Sequence, residues 1–334
     1  MNVLIVGGSH FVGRAFVETA RREGHDVTVL NRGLTGHAFE GVRHLRVDRT
    51  DHDRFTQAVG NESWDAVIDT WSGAPVEATF AASLLGLRSG HYGFVSSRSV
   101  YQWPIAVGSD ESHPTVDGDP QGDTADDYAK AKRGAELGVL ATCPDALIAR
   151  AGLILGPYED VGRLPWWLSR MERGGRTLAP GPQSRPLQYI DARDLAAWMI
   201  SSAQAHKGGI FNTASPPGHT TIGELLSAAR EVTGSQADLV WFTPEEIEAA
   251  GLAPWTELPI WLPPTGELAG LHDGDVRAAV KTGLHCRSIR ETVEDTWAWL
   301  QTEGAAGQRS DRPTCGLDPT REAELLDQRH SSPS

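Results

Sequence analysis

The segment VLIVGGSHFVG at residues 3–13 decides the fold of this 334-residue chain. Its leading apolar residues predict a buried strand, and the amphipathic stretch that begins at Phe11 predicts a helix. Gly7 would allow the tight turn between them, and Gly13 would allow the helix to pack closely on a sheet. Many strand-to-helix turns use glycine only for geometry, but a glycine-rich turn in the first unit of the chain favours a dinucleotide cofactor.

The same turn supplies six of the candidate cofactor contacts. The amino end of the helix would face a pyrophosphate. His10 stands where the dinucleotide pattern usually has its middle glycine, so its side chain either flanks the phosphates or turns to solvent or packing. The predicted cofactor contacts in this segment are Gly7, Ser9, His10, Phe11, Val12 and Gly13.

Short apolar runs alternate with amphipathic stretches through the first half of the chain. This alternation predicts right-handed βαβ units and a doubly wound α/β fold with a parallel sheet, the Rossmann architecture. After Pro157 the prolines break this rhythm, which predicts a smaller mixed lobe over the carboxyl edge of the sheet. We therefore expect a dinucleotide-binding domain at 1–156 with the chain returning to it near 186–213, a substrate-binding lobe at 157–303, and a tail at 304–334 with one helical candidate at 318–329.

Composition narrows the class of protein. Hydrophobic residues make up 40% of the chain and charged residues 22%, which is ordinary for a soluble protein. No apolar run approaches the length of a membrane-spanning helix, so we expect a cytoplasmic protein that binds no membrane. A formal net charge of -14 disfavours nucleic acid as a partner. The 3 cysteines are scattered and lack histidine partners, which predicts neither disulfides nor a metal site.

Tyr128 and Lys132 lie four residues apart and point to proton transfer. On a helix they share one face, so the lysine ammonium can favour the ionised form of the phenol. Such a phenol can exchange a proton with a carbonyl or alcohol oxygen near neutral pH. We expect Asp126 or Thr124 to cap this helix. A pair at this spacing is more often a packed ring and a solvated amine, but beside the glycine turn it suggests hydride chemistry on a nicotinamide.

The sequence FVSSRSVY at residues 94–101 ends the fifth predicted strand. Its hydroxyls would emerge at the carboxyl edge, where open parallel sheets bind ligands. Ser97 could hold the reacting oxygen while Tyr128 exchanges its proton, and Ser99 could share that role. The alternative is that the Ser97 hydroxyl only satisfies the end of a strand.

The residues after the second predicted strand bear on the choice of cofactor. An acidic residue there would bind the ribose 2′-hydroxyl of NAD, but this chain has Asn31-Arg32-Gly33, and a guanidinium suits a 2′-phosphate. NADP is therefore favoured and NAD stays possible, because Arg32 could be a solvated loop residue. Asp48 could accept a hydrogen bond from the adenine amino group or cap a helix. The remaining predicted cofactor contacts are Asn31, Thr70, Tyr128, Lys132 and Ala151.

In their order and spacing these motifs resemble the extended short-chain dehydrogenases/reductases, also called the NAD-dependent epimerase/dehydratase family. The resemblance runs from Met1 to about Glu303. It implies that Ser97 orients the substrate oxygen, that Tyr128 is the general acid/base, and that Lys132 binds the nicotinamide ribose and lowers the pKa of the tyrosine. It also implies hydride-transfer chemistry and a homodimer that pairs through helices including the one that carries Tyr128.

The chain departs from the nucleotide-sugar members of that family in two places. Those members carry an arginine two residues before the aromatic of the motif seen here as Tyr189-Ile190-Asp191, and this chain has Leu187 there, with Arg185 the nearest arginine. A second arginine would be expected at Trp261–His272, which contains none. Without these cations a diphosphate would be poorly compensated, so we expect a small, weakly charged metabolite.

Aromatic side chains are numerous near the predicted cleft. Indole rings would suit an apolar ligand or the face of a sugar, although most of them fit the core better and only Trp71 and Trp103 fit both interpretations equally. Trp166, Trp167, Trp255 and Trp261 lie in loops expected near the cleft. The predicted substrate contacts are Trp71, Arg98, Ser99, Trp103 and Arg185.

The leading hypothesis is an NADP(H)-dependent oxidoreductase that interconverts a carbonyl and a secondary alcohol, with Tyr128 as general acid/base. The second hypothesis is a sugar or nucleotide-sugar epimerase or dehydratase that keeps its cofactor bound. The third is a non-catalytic member that binds a dinucleotide or RNA as a regulatory module. The complete set of Ser97, Tyr128 and Lys132 and the acidic net charge argue against the third.

Overall fold

The computed structural model describes residues 1–34, 39–304 and 314–331. Its strands, in chain order, are β1 (Asn2–Val6), β2 (Asp26–Asn31), β3 (Arg43–Arg46), β4 (Ala66–Asp69), β5 (Tyr92–Ser97), β6 (Leu147–Ala151), β7 (Leu153–Leu155), β8 (Arg176–Pro180), β9 (Pro186–Leu187), β10 (Tyr189–Asp191), β11 (Gly209–Thr213), β12 (Thr220–Thr221), β13 (Asp238–Phe242), β14 (Pro254–Trp255) and β15 (Leu258–Pro259).

The helices in the same ranges are α1 (Phe11–Arg22), α2 (His52–Val59), α3 (Pro75–Leu85), α4 (Tyr128–Thr142), α5 (Arg163–Glu172), α6 (Ala192–Gln204), α7 (Ile222–Val232), α8 (Pro244–Ala249), α9 (Arg277–Lys281), α10 (Ile289–Glu303) and α11 (Pro319–Ser331). Short 3₁₀ turns lie at Gly86–Arg88, Arg98–Val100 and Ala269–His272. None of the helices in the described ranges has the length and hydropathy required to cross a bilayer.

A parallel sheet of seven strands forms the centre of the fold, in the order β11-β6-β5-β4-β1-β2-β3. The strand order reverses beside β1, where Val3 pairs with Val27 on one side and with Ala66 on the other. Residues 3–6 are buried, because a strand covered on both faces needs successive apolar side chains. The prediction of a doubly wound α/β fold is confirmed.

Helices close both faces of this sheet. α1 and α6 pack together on one face around Phe16 and Met199. α3 and α4 pack together on the other face around Phe94 and Val139. All four side chains are fully buried, and each contributes roughly 1.5–3 kcal/mol through burial. With both faces covered, the ends of the strands are left as the place for a ligand.

The second half of the chain builds a lobe with its own apolar core. Trp167, Leu225 and Trp261 are buried there, and β8 pairs in parallel with β13. The stretch 186–213, for which a return to the sheet is predicted, contains α6 and β11. β11 lies beside β6, with Phe211 paired to Ala149. The lobe is therefore interrupted in sequence by elements of the central sheet.

The end of the chain is packed against the lobe where the structure describes it. α11 covers the predicted helical candidate and lies against β8. Glu322, which is 4% exposed, accepts hydrogen bonds from Arg170 at 2.7 Å and from the Leu178 amide at 3.0 Å. Residues 305–313 of the predicted tail lie outside the described residues. The described residues 314–331 of that segment therefore pack as part of the lobe.

Candidate functional site

A cavity of about 830 Å³ opens at the carboxyl ends of the central strands, between the sheet and the lobe. The glycine turn lines one end of it, and Ser97, Tyr128 and Lys132 line the other. Within the described ranges, no group of three or more His, Cys, Asp or Glu side chains is arranged to hold a metal ion. The remaining predicted site residues on its wall are Ser9, His10, Phe11, Val12, Asn31, Arg32, Asp48, Thr70, Trp71, Arg98, Ser99 and Ala151.

The glycine turn forms a cradle that side chains would fill. Gly7 has a φ of 121°, and a Cβ added there would overlap the hydroxyl of Thr70. A Cβ added to Gly13 would overlap the backbone of Gly8, so the helix can approach the turn only without a side chain. The amino end of α1 therefore opens into the cavity with unobstructed backbone groups. This geometry fits the phosphates of a dinucleotide.

His10 immediately precedes α1 and makes no side-chain capping hydrogen bond. Its Nδ1 lies 3.7 Å from Oδ2 of Asp160, and the imidazole is 62% exposed. The imidazole ring thus lies at the opening of the cavity, on the side that faces the lobe. Asp160 comes from the loop before α5, which sequence patterns did not connect with the glycine turn.

Asn31 holds the glycine turn and the end of β2 together. Its Nδ2 donates to the Gly7 carbonyl at 3.0 Å, and its Oδ1 accepts from the Gly33 amide at 2.8 Å. Its amide group is therefore engaged with the backbone. Beside it, Arg32 is exposed, and its charge helps to lower the pKa of Asp48, which falls mainly because the Thr50 amide donates to that carboxylate.

Arg46 is a cation near this position that sequence analysis missed. It ends β3 and pairs in register with Asn31 on β2. Its side chain lies across Gly33, because a Cβ added to that glycine would be 3.3 Å from the Arg46 Cδ. The apolar run at 42–47 has the pattern of a strand, and parallel strands end at the same edge of a sheet, so the position of Arg46 near the end of this run was a signal that could have found it. Arg32 and Gly33 line the cavity, and the side chain of Arg46 lies beside Gly33.

Tyr128 is the first residue of α4, and Asp127 caps the helix by accepting from the Lys130 amide at 3.1 Å. The prediction that Asp126 or Thr124 is the cap is therefore wrong, because the helix begins at Tyr128 itself. The phenol is half-buried on the wall of the cavity.

Lys132 anchors the same helix to the sheet. Its Nζ donates to the Val95 carbonyl at 2.8 Å and to the carbonyl of Trp71. The ammonium lies 4.9 Å from the centre of the Phe94 ring, and the residue is 4% exposed. The cation is thus held beneath the cavity floor, where it can act on groups that bind there.

Ser97 ends β5 and begins a tight turn. Its hydroxyl donates to the Ser99 Oγ at 3.1 Å and accepts from the Ser99 amide at 3.1 Å. Both hydroxyls line the cavity. Tyr128 lines the same cavity.

A buried ionic network supports these residues from behind, and sequence analysis did not find it. Glu136, one turn after Lys132, is fully buried and accepts from the Ser96 hydroxyl at 2.6 Å. Arg150 on β6 donates to both of its carboxylate oxygens, each at 2.9 Å. Arg133 donates to it at 3.0 Å. The network ties α4 to β5 and β6 directly below Ser97.

The predicted substrate contacts divide between the cavity and its surroundings. Trp71 lines the cavity, with its indole N–H donating to the Ala74 carbonyl at 2.8 Å. Arg98 also lines it but is 1% exposed, and it donates to Gln188 at 3.0 Å and to the Leu271 carbonyl at 2.8 Å. Burial lowers the pKa of Arg98. It therefore fixes the 270–271 turn as well as bordering the cavity.

Arg185 and Trp103 do not line the cavity. Arg185 donates to the carbonyls of Leu262, Pro263 and Ala269, each at 3.1 Å. Its guanidinium is occupied in holding a loop of the lobe. Trp103 is 39% exposed on the surface. That either residue contacts substrate stays a prediction.

The lobe contributes a wall that sequence analysis described only in part. Arg163 at the start of α5, Trp255 and Leu271 line the cavity there. Trp255 was expected near the cleft, whereas Arg163 was missed because the loop before α5 carries no recognisable pattern. The wall that the lobe contributes therefore presents a cation beside an aromatic ring.

A doubly wound sheet that brings a glycine turn and a Ser-Tyr-Lys set to one cavity defines the class as the extended short-chain dehydrogenases/reductases. The profile of the NAD dependent epimerase/dehydratase family matches residues 3–214. The chain belongs to this family.

Known proteins of several activities are similar to this chain. A 2'-dehydrokanamycin reductase from Streptomyces kanamyceticus is 41% identical over 70 residues, which are 21% of this chain and 20% of that enzyme. A UDP-glucose 4-epimerase from Corynebacterium glutamicum is 24% identical, over 93% of this chain and 98% of that one. The enzyme WbmH of Bordetella bronchiseptica, solved with NAD+, is 16% identical with a TM-score of 0.67, covering 91% of this chain and 99% of that one.

Proposed function

We propose that the protein is an NADP(H)-dependent oxidoreductase that interconverts a carbonyl and a secondary alcohol on a small, weakly charged metabolite. The observation that carries this proposal is the shared cavity, which joins the glycine turn to Ser97, Tyr128 and Lys132. The turn and the amino end of α1 would hold the pyrophosphate, and Arg32 with Arg46 would lie near a 2′-phosphate. The bound nicotinamide would supply or accept the hydride.

In this mechanism the protein supplies the proton and the orientation. The Ser97 hydroxyl turns its proton from the Ser99 Oγ to the substrate carbonyl oxygen and positions that oxygen beside the Tyr128 phenol. As the carbonyl carbon receives a hydride, the phenol gives its proton to that oxygen, and the secondary alcohol forms. Lys132, fixed by the carbonyls of Val95 and Trp71, would bind the nicotinamide ribose and stabilise the phenolate. The phenolate then regains a proton from solvent.

The charges around the cavity support a reductase acting on a small substrate. Leu187 stands at one expected diphosphate position, and it is buried. Arg185 donates to backbone carbonyls, so it is engaged away from the cavity. The similarity to a 2'-dehydrokanamycin reductase points in the same direction.

A second candidate function is epimerisation or dehydration of a sugar or nucleotide sugar. The similarity to a UDP-glucose 4-epimerase over 93% of this chain favours it. The two functions differ in whether the cofactor turns over. Mixing the purified protein with NADPH and a panel of carbonyl compounds should give a loss of absorbance if it is a reductase. Protein that is purified with tightly held NAD and ignores added NADPH would favour the epimerase.

The preference for NADP is tested by Arg32→Ala. Removing one charge-assisted hydrogen bond to the 2′-phosphate should weaken NADPH binding by about 1.5–3 kcal/mol and leave NADH binding nearly unchanged. Arg46→Ala should act in the same direction. Arg54→Ala, on the exposed face of α2, is the matched control. Dissociation constants from calorimetry would check this, and an equal loss for both cofactors would refute the preference.

We also propose a homodimer that pairs through α3 and α4. These two helices pack against each other on one face of the sheet, as a shared pairing surface requires. Light scattering of the purified protein would measure its mass directly, and a monomeric mass at micromolar concentration would contradict this assignment.

A further inference from the structure

Arg163 places a guanidinium in the part of the cavity wall that the lobe contributes. It begins α5, and its central carbon lies 4.7 Å from the ring centre of Trp255, which lines the same cavity. Stacking on an aromatic face orients the plane of a guanidinium while leaving its edge available for hydrogen bonds. The ring of Trp255 thus supports a guanidinium that borders the cavity.

The guanidinium of Arg163 has one hydrogen-bond donor that no described residue satisfies. Its Nε–H is buried and makes no hydrogen bond to any described residue. Burying a hydrogen-bond donor without an acceptor costs free energy, and burying a charged guanidinium without one costs more. The site therefore gains most from a ligand that supplies both negative charge and acceptor oxygens.

The neighbouring acids do not fill that role. Glu159 directs its carboxylate at backbone amides, accepting from Arg163 N at 2.8 Å and Leu164 N at 3.2 Å. Burial raises the pKa of Glu159 to about 7, so it carries only part of a charge near neutral pH. The carboxylate of Asp160 lies 3.7 Å from the His10 ring, across the groove. Neither acid makes a hydrogen bond to the Arg163 Nε, and the charge of Arg163 acts on Glu159 only by opposing the rise in its pKa.

Trp255 is held in a backbone conformation that ordinary side chains rarely adopt. Its φ is 69°, and its amide donates to the Trp261 carbonyl at 3.1 Å. Such conformations persist where the surrounding structure enforces them, and they are concentrated at ligand sites. The ring that supports Arg163 is therefore positioned by the fold and not by local preference.

We propose that Arg163, stacked on Trp255, recognises an oxyanion group of the substrate, a carboxylate or a phosphate. This inference rests on the proposed function and specifies its substrate class, a carbonyl compound or alcohol that carries one anionic group. A planar guanidinium can bind either group through two parallel hydrogen bonds. A single anion also agrees with the lack of cations at the expected diphosphate positions.

Binding of simple probes tests the proposal without requiring turnover. Calorimetry is performed on the full chain saturated with NADP+, so that the cofactor phosphates occupy the glycine turn. Benzoate and benzamide have the same shape but differ in charge, and benzoate should bind about ten-fold tighter or more, the effect of one charge-assisted contact. Inorganic phosphate, titrated separately, distinguishes a phosphate from a carboxylate site. Binding of either anion at this site supports the proposal.

Arg163→Gln should reduce the benzoate-to-benzamide ratio to about one and abolish phosphate binding. Arg173→Gln, at the exposed end of the same helix, should leave both unchanged. Equal affinities for benzoate and benzamide in the unmodified protein would overturn the proposal, and so would a ratio that survives Arg163→Gln. Because cofactor binding is recorded first and no reaction is measured, an inert protein would refute the proposed reductase without altering this outcome.

Discussion

Replacing Tyr128 with phenylalanine is expected to lower kcat for carbonyl reduction by about 10²–10⁴-fold, the usual contribution of a positioned general acid. The substitution removes the phenol that lines the cavity beside Ser97 and keeps the ring that packs at the start of α4. Affinity for NADPH should change little, because the cofactor contacts of the glycine turn stay in place. Stopped-flow absorbance under single-turnover conditions measures the step directly.

Tyr158→Phe is the matched control for this experiment. Tyr158 also carries a half-buried hydroxyl, which donates to Glu303 at 2.8 Å, but it does not line the cavity. Its removal should leave kcat unchanged. If Tyr128→Phe reduces the carbonyl at the rate of the unmodified protein, the proton comes from another group and the mechanism proposed here is incorrect.

Glu136→Ala is expected to destabilise the protein by about 3–5 kcal/mol, the cost of breaking a buried ion pair by removing one partner. Arg150 is 2% exposed and would lose its bidentate carboxylate, and the hydroxyl of Ser96 would lose its acceptor. Urea unfolding followed by circular dichroism measures the change. Glu294→Ala, which removes an exposed ion pair with Arg290, should have little effect.

Glu136→Gln separates charge from shape, and it keeps the test useful if the alanine variant fails to fold. The amide can still accept from Ser96 but no longer neutralises Arg150, so an intermediate loss of stability is expected. The network lies behind Ser97 and Lys132 and not behind the glycine turn. We therefore expect kcat to fall by a larger factor than the affinity for NADPH. Loss of neither stability nor kcat would mean that the network does not support the site.

Local patterns were sufficient to predict much of the fold and the reactive side chains. The turn from Gly7 to Gly13 and the Tyr128-Lys132 spacing each depend on a few consecutive residues, and the structure places both on one cavity. The start of α4 was predicted too early, since the acidic loop before it has several possible caps. Neighbouring residues in the sequence were therefore enough to predict the glycine turn and the Tyr128-Lys132 pair, but not the first residue of α4.

The contacts that sequence analysis missed depend on elements distant in sequence. Glu136 meets Arg150 only because α4 packs beside β5 and β6, and neither residue is unusual within its own segment. Arg163 reaches the cavity only because the lobe folds back over the strand ends. Arg46 could have been predicted more easily. It requires only that the third strand lies beside the second, which places Arg46 next to Asn31.

The pairing of β11 with β6 has a consequence for synthesis and for fragments of this protein. β6 is complete at Ala151, but its partner β11 ends only at Thr213, after the first part of the lobe has been made. A fragment stopped at residue 156, or a nascent chain of that length, would expose an unpaired strand edge. Such edges recruit other chains into aggregates. The dinucleotide-binding half should therefore be expressed and studied together with the lobe. During synthesis, about sixty further residues must be made before β11 can pair with β6 and complete the sheet.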